Sequence, residues 1–185
     1  MLSRSTFLLL AGLGFAGAGT AGAQSPMPRL SLEVLGGGVV PTFDIADVAK
    51  TGPMFGAALT YQLNRWALIG EFDYGFHKDK ATSSVDIKTR HYMGKIGYLL
   101  TGPREVGWEA LVNLGAGAVS FDVQGAASTK TYFAINAGAK IAYNVNRSLA
   151  IVFSPQGDIA FSKKSELSTT NAWVWPFSAG IRLRF

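Results

Sequence analysis

Cysteine is absent from the 185 residues. That excludes disulfides, thiolate metal sites and a lipid-modified N-terminal cysteine. Charge is also scarce. Asp, Glu, Lys and Arg make up 16% of the chain, against about 25% in ordinary soluble domains. Histidine occurs only at His77 and His91, a separation with no metal-ligand spacing, so neither a metal nor another cofactor is expected. Lys and Arg outnumber Asp and Glu by 17 to 12, but they are scattered and form no dense patch, so nucleic acid is not an expected partner. Beyond the first 23 residues no segment is long and apolar enough to cross roughly 30 Å of hydrocarbon as a helix, and helical periodicity is lacking throughout.

Those first residues have the three parts of an export signal. Arg4 supplies a positive start, Phe7–Phe15 an apolar core, and Ala21-Gly22-Ala23 a small-residue cleavage site. The expected organisation is therefore a signal peptide over 1–23 and one mature domain over 24–185, beginning at Gln24.

The mature region alternates with period two almost everywhere, which is a strand signal. Eight strands are expected: Leu30–Val40, Met54–Leu63, Trp66–Phe76, Ile87–Leu100, Gly107–Asp122, Thr131–Tyr143, Ser148–Phe161 and Ala172–Phe185. Tight connections at Asn64-Arg65, Thr101–Val106 and Asn144–Arg147 alternate with longer polar ones at Pro41–Pro53, His77–Asp86, Val123–Lys130 and Ser162–Asn171. Short turns on one side and long loops on the other are expected of an up-and-down barrel that spans an outer membrane. The pattern Tyr-x-apolar-Asn-Arg recurs at Tyr61–Arg65 and Tyr143–Arg147. It places both turns in one environment, and Asn suits such turns because it tolerates left-handed backbone. Gly36-Gly37-Gly38 is no phosphate loop, since no helix follows; it permits close packing or a bend in the first strand.

Each strand has one greasy face. In the third, Trp66, Leu68, Gly70, Phe72, Tyr74 and Phe76 oppose Ala67, Ile69, Glu71, Asp73 and Gly75. In the eighth, Trp173, Trp175, Phe177, Ile181, Leu183 and Phe185 oppose Ser178, Gly180, Arg182 and Arg184. Alternation alone does not tell a membrane barrel from a soluble one, but the placement of aromatics does. Trp66, Trp108, Tyr61, Tyr98 and Tyr143 cluster beside the short turns, and Phe55, Tyr74, Phe76, Tyr92, Phe133 and Trp173 toward the long loops. Two aromatic girdles around an aliphatic band match two membrane interfaces. The fold class is thus all-β, an eight-stranded antiparallel up-and-down transmembrane β-barrel.

The C-terminus carries a sharper motif. Ser178, Gly180, Leu183 and Phe185 follow the order polar, Gly, apolar, terminal aromatic, and this resembles the outer-membrane assembly signal. With the export signal and the eight strands, the chain resembles the small OmpA-type and OmpX-type β-barrel family, part of the porin-like cell-envelope proteins. The resemblance implies a bacterial outer-membrane location, insertion by the outer-membrane assembly machinery, surroundings of membrane lipid and lipopolysaccharide, and a monomer. Because the chain ends at the last expected strand, the peptidoglycan-binding domain of full-length OmpA-type proteins is not expected. The resemblance fixes no single activity, because such barrels include structural anchors, adhesins, serum-resistance factors and a few lipid-modifying enzymes.

The inward charges form the main candidate site. Glu33, Glu71, Asp73 and Glu109 face Lys95, Lys140, Arg182 and Arg184, four acids against four bases, which reads as a neutral plug. Pairing is expected because an isolated buried charge costs several kcal/mol. Neighbouring strands bring Glu71 to Lys95, Glu109 to Lys140 and, where the barrel closes, Glu33 to Arg182. Exchanging the charges of Glu33 and Arg182 is expected to restore part of what either change alone would lose.

Catalytic residues are not expected. His77 opens a loop containing Asp79, Ser83 and Ser84, yet nothing positions a serine against the imidazole, and the His-x-Ser-Asn pattern of lipid A deacylase barrels is absent. His91 has inward parity and reads as a satisfied lumen residue. The expected function is structural or surface-interacting and non-enzymatic. A narrow channel, a lipid A-modifying enzyme and a soluble lipocalin-like carrier are the alternatives; inward-facing Trp66, Phe72 and Leu114 would mark the carrier.

Overall fold

The computed structural model describes residues 29–126, 128–167 and 170–185. The expected signal peptide and its cleavage site lie outside the described residues. Eight strands make up the fold: β1 (Leu30–Thr42), β2 (Gly52–Leu63), β3 (Trp66–Lys78), β4 (Asp86–Leu99), β5 (Gly107–Val123), β6 (Lys130–Asn144), β7 (Leu149–Ala160) and β8 (Ala172–Arg184). Every expected strand is present with ends within two residues of the expectation. Each pairs antiparallel with the next, and β8 pairs with β1 to close the barrel.

The closing seam depends on two glycines. A Cβ at Gly180 would lie 1.9 Å from the Val34 carbonyl oxygen, and one at Gly37 would lie 1.9 Å from that of Phe177. Only a residue without a side chain lets the backbones approach so closely. Gly180 of the C-terminal motif therefore has a packing role, as does one glycine of the Gly36–Gly38 run.

The short turns solve their geometry in two ways. Asn64 takes the left-handed conformation at φ 56°, as expected. Asn146 instead turns its side chain back, its Oδ1 accepting the Ser148 and Leu149 amides at 2.8 and 2.9 Å. Both devices are open to Asn, whose short amide mimics backbone. At this end Trp66 meets Tyr98 and Trp108 meets Tyr143 edge-to-face, with centroids 5.0 and 5.1 Å apart. The pairs sit in cross-strand register and form the inner aromatic girdle.

The large hydrophobics point outward. Trp66, Phe72 and Leu114 are 55%, 39% and 69% exposed, so the soluble carrier reading is overturned. A greasy exterior around an interior that holds the buried charges is the inverse of a soluble barrel. At the outer end the first long connection folds back as a 3₁₀ turn, Phe43–Asp47, and buries Ile45 in the barrel mouth. A single helical turn in the last connection, Lys164–Leu167, places Leu167 against the same cluster.

Candidate functional site

Inward positions of all eight strands meet in the lumen, and their chemistry divides by height. Toward the short turns a network of charges runs among two small apolar clusters, Ala58, Ala67, Ile69, Leu99 and Leu111, and Ala142, Ala150 and Val152. Glu33 of β1 accepts from Arg182 Nε of β8 at 2.8 Å and from Lys140 Nζ of β6 at 2.6 Å. Lys140 also lies 2.9 Å from Glu71 of β3. The other Glu71 oxygen is 2.6 Å from Lys95 Nζ of β4. Glu109 of β5 takes Arg182 Nη1 at 2.8 Å and Arg184 Nη2 at 3.1 Å. One connected chain of alternating sign results: Arg184, Glu109, Arg182, Glu33, Lys140, Glu71, Lys95. Its members are buried. Buried in this way, each ion needs partners on every side, because desolvation otherwise outweighs a single attraction.

The structure thus brings Glu71 to Lys95 and Glu33 to Arg182, but it does not bring Glu109 to Lys140. The register explains why. Glu109 sits opposite Ala142, and Lys140 sits opposite Leu111, two residues nearer the long loops. At that height the long lysine reaches across the lumen to β1 and β3. Glu109, at the inner mouth, faces the two arginines of β8 and accepts from Asn144 Nδ2 at 3.4 Å. Neighbour-strand reasoning misses contacts that cross a narrow barrel, whose interior is only a side chain or two wide.

A polar extension also goes beyond the expected set. Lys95 donates to Gln156 of β7, whose amide donates to Glu71 at 2.6 Å. Asn136 of β6 bridges Gln156 and Asp158, and Asp158 Oδ2 lies 2.6 Å from His91 Nδ1. Asp158 makes a fifth inward acid, so the expected balance of four against four becomes five against four, with His91 beside the extra carboxylate. The alternation Ser154, Gln156, Asp158 against Phe153 and Ile159 carried this signal, although Pro155 and Gly157 blur it.

His77 is not a loop residue. It lies in β3 with inward parity and is buried. One ring nitrogen is 2.9 Å from the Lys50 carbonyl and the other 3.3 Å from Thr89 Oγ1. Nearby Ser83 accepts from Lys50 Nζ at 2.8 Å. Above the ionic chain Val39, Met54, Met93, Val119, Phe121 and Val174 pack together under Ile45, beside the buried polar side chains of Asp73, His77, Thr89 and His91. A cavity of about 30 Å³ remains beside Ile45, His77, Thr89 and Leu167.

In the C-terminal motif, Ser178 and Gly180 face inward, whereas Leu183 and Phe185 face outward. Phe185 is 66% exposed, and its amide donates to the Leu30 carbonyl at 2.9 Å. The terminal ring is displayed while its backbone is bound into the seam.

No curated protein matches the chain significantly. Solved structures do. The neisserial surface protein A, NspA, is similar with a TM-score of 0.64 and 16% identity over 85% of this chain and 97% of that one. OprG, an outer membrane protein of Pseudomonas aeruginosa, gives 0.58 and 13% over 85% and 97%. The N-terminal barrel domain of OprF from the same organism gives 0.55 and 18% over 84% and 97%. At these identities the likeness is one of fold. The family model for the outer membrane protein beta-barrel domain matches residues 7–185, and the chain belongs to that family.

Proposed function

We propose that this outer-membrane barrel is a non-conducting, non-enzymatic protein that reinforces the envelope and presents its four long connections outside. The observation that carries the reading is the lumen itself, where the alternating ionic chain and the hydrocarbon layer above it stand in series. Ion passage would require separating buried charges from all their partners at once. The engagement of both His77 nitrogens within the barrel wall argues against a loop-side acyl transfer centre. In planar bilayers the purified protein is expected to give no steady unitary currents. Lipid A from cells with and without the protein is expected to have the same mass spectrum. A stable open channel or a protein-dependent lipid A species overturns the reading.

The channel alternative draws on Asn113 and Ser178, whose buried polar atoms make no hydrogen bond among the described residues and so are suitable hosts for water. Variants separate the two readings. If both layers seal, emptying only the hydrocarbon layer (Met54→Ala with Phe121→Ala) leaves the protein silent. Substitutions that empty both layers open it.

Insertion by an assembly machinery that reads the terminal aromatic belongs to the same proposal. Deleting Phe185 is expected to cut the yield of barrel in cell membranes far more than the yield on refolding into detergent. Equal losses in both refute the assembly role.

A further inference from the structure

Among the described residues, the strands carry three outward-facing basic side chains, and all three lie together. Lys78 ends β3, while Lys88 and Arg90 begin β4. The register sets Lys88 beside Phe76 and Arg90 beside Tyr74, at the long-loop end of the barrel. Elsewhere the basic side chains of the membrane-spanning strands turn inward, as Lys95, Lys140, Arg182 and Arg184 do. A cation on the outer face sits against lipid or its headgroups, where it needs an anion.

The anions at hand are few and weakly committed. Lys78 pairs with Asp86, and both are about half exposed. Arg90 lies 3.5 Å from Asp122, with side chains 35% and 40% exposed, and its guanidinium is 5.7 Å from the Tyr74 ring centroid. Lys88 has no ion-pair or hydrogen-bond partner among the described residues. Exposed pairs of this kind contribute little and re-pair easily. Between β2 and these cations the surface is recessed, with a cavity of about 310 Å³ whose walls include Thr51, Pro53, Phe76, Lys78, Lys88 and the Asp86 that pairs with Lys78. Just below lies a raft of aromatics. Phe55 and Phe76 meet at 6.5 Å, Tyr74 and Phe76 at 4.7 Å, and Phe72 and Tyr92 at 5.1 Å. Such rings mark the boundary between headgroup and acyl chain.

We propose that this recess, together with Arg90 next to it on the outward face of β4, is a binding site for a phosphorylated glycolipid of the outer leaflet, with its phosphate between Lys88 and Arg90 and its acyl chains on the aromatic raft. Charge complementarity selects a phosphate, the most heavily charged group at that depth, and charge-assisted hydrogen bonds from lysine and arginine hold it. The aromatic platform directly beneath selects a lipid over a soluble anion. The site rests on the orientation in the proposed function, with long connections outward, but not on whether the lumen conducts.

The test uses the refolded barrel in phosphatidylcholine vesicles doped with bis-phosphorylated lipid A, with dephosphorylated lipid A or with phosphatidylglycerol. After extraction, native mass spectrometry counts the lipid retained. Wild-type protein is expected to retain bis-phosphorylated lipid A in preference to both others. Lys88→Gln and Arg90→Gln are each expected to weaken retention about fivefold. Arg65→Gln, at the short-turn end, is expected to change nothing. Lys88→Gln removes a side chain without partners, and heat-modified gel mobility verifies that each variant is folded. Equal retention by wild type and both cation variants overturns the site, and so does equal retention of dephosphorylated lipid A or of phosphatidylglycerol. Bilayer currents read the proposed function separately, so the two ideas can fail independently.

Discussion

In the inner half of the lumen, three glutamates are held by two lysines and two arginines in one continuous chain. In the outer half, Val39, Met54, Met93 and Val119 pack as an apolar cluster beside the buried Asp73, His77 and His91. Both halves are buried, yet they tolerate error differently. Dispersion is non-directional and accommodates small shifts, and methionine adapts to irregular gaps. The ionic half is specific to height and reach, and removing one member leaves its partners charged, buried and alone. The inner half therefore fixes the register of the strands, while the outer half only needs to be full.

The comparison makes its largest prediction at Glu33, which two bases share. Glu33→Ala should destabilise the barrel by about 3–5 kcal/mol, read from urea unfolding in phosphatidylcholine vesicles. A loss under about 1 kcal/mol would mean that the site is wet and the two halves less different than described. The charge exchange Glu33→Arg with Arg182→Glu sharpens the point. Neighbour-strand pairing alone predicts partial recovery. The structure predicts almost none, because Lys140, now 2.6 Å from Glu33, would face a second cation. Recovery beyond about half of the single-site loss would show that the Lys140 contact is unimportant.

In the hydrocarbon half, Met54→Ala should cost about 2–3 kcal/mol by cavity formation, and Met54→Leu under about 1.5 kcal/mol, since volume-conserving exchanges are tolerated. If Met54→Leu proved as damaging as Glu33→Ala, the claimed difference in tolerance would collapse. The smallest effect should lie outside both halves. Asp79, exposed in the second long connection, accepts the Thr82 amide at 2.6 Å and its hydroxyl at 3.0 Å. These bonds, the amide above all, hold its carboxyl below the usual carboxylate range. A depressed value means that the contact is present above the ordinary pKa and lost as pH falls through the lowered one. The Thr82 amide resonance should therefore move only in acid, and Asp79→Asn should abolish that movement with no measurable change in global unfolding.

The strand pattern was legible because period-two alternation is strong when one face meets lipid and the other meets ions. Trp66, Leu114 and Glu71 could not exchange faces at tolerable cost. Two of the three expected pairs followed from strand adjacency. The third failed because adjacency says nothing about contacts across the lumen, and the connection of Lys140 to Glu33 spans 107 positions in sequence. His77 misled for another reason. A polar residue after an aromatic run reads as the start of a loop, but β3 runs two residues past Phe76 and carries the imidazole into the wall. Asp158 was hidden among Pro155 and Gly157, which interrupt the look of a strand without changing its parity.

The Glu33–Arg182 contact joins partners 149 positions apart, across the seam where Gly180 lets β8 lie against β1. This makes the fold kinetically unforgiving. The strand made first has to wait for the strand made last, and until they meet both keep open edges capable of pairing with other chains. Contacts of such sequence separation form late and slowly, so a chain lacking β8 has no closed state to reach and leaves the charges of β1 unanswered. Survival in the cell then depends on holding the unfinished chain apart from its neighbours until its final strand arrives.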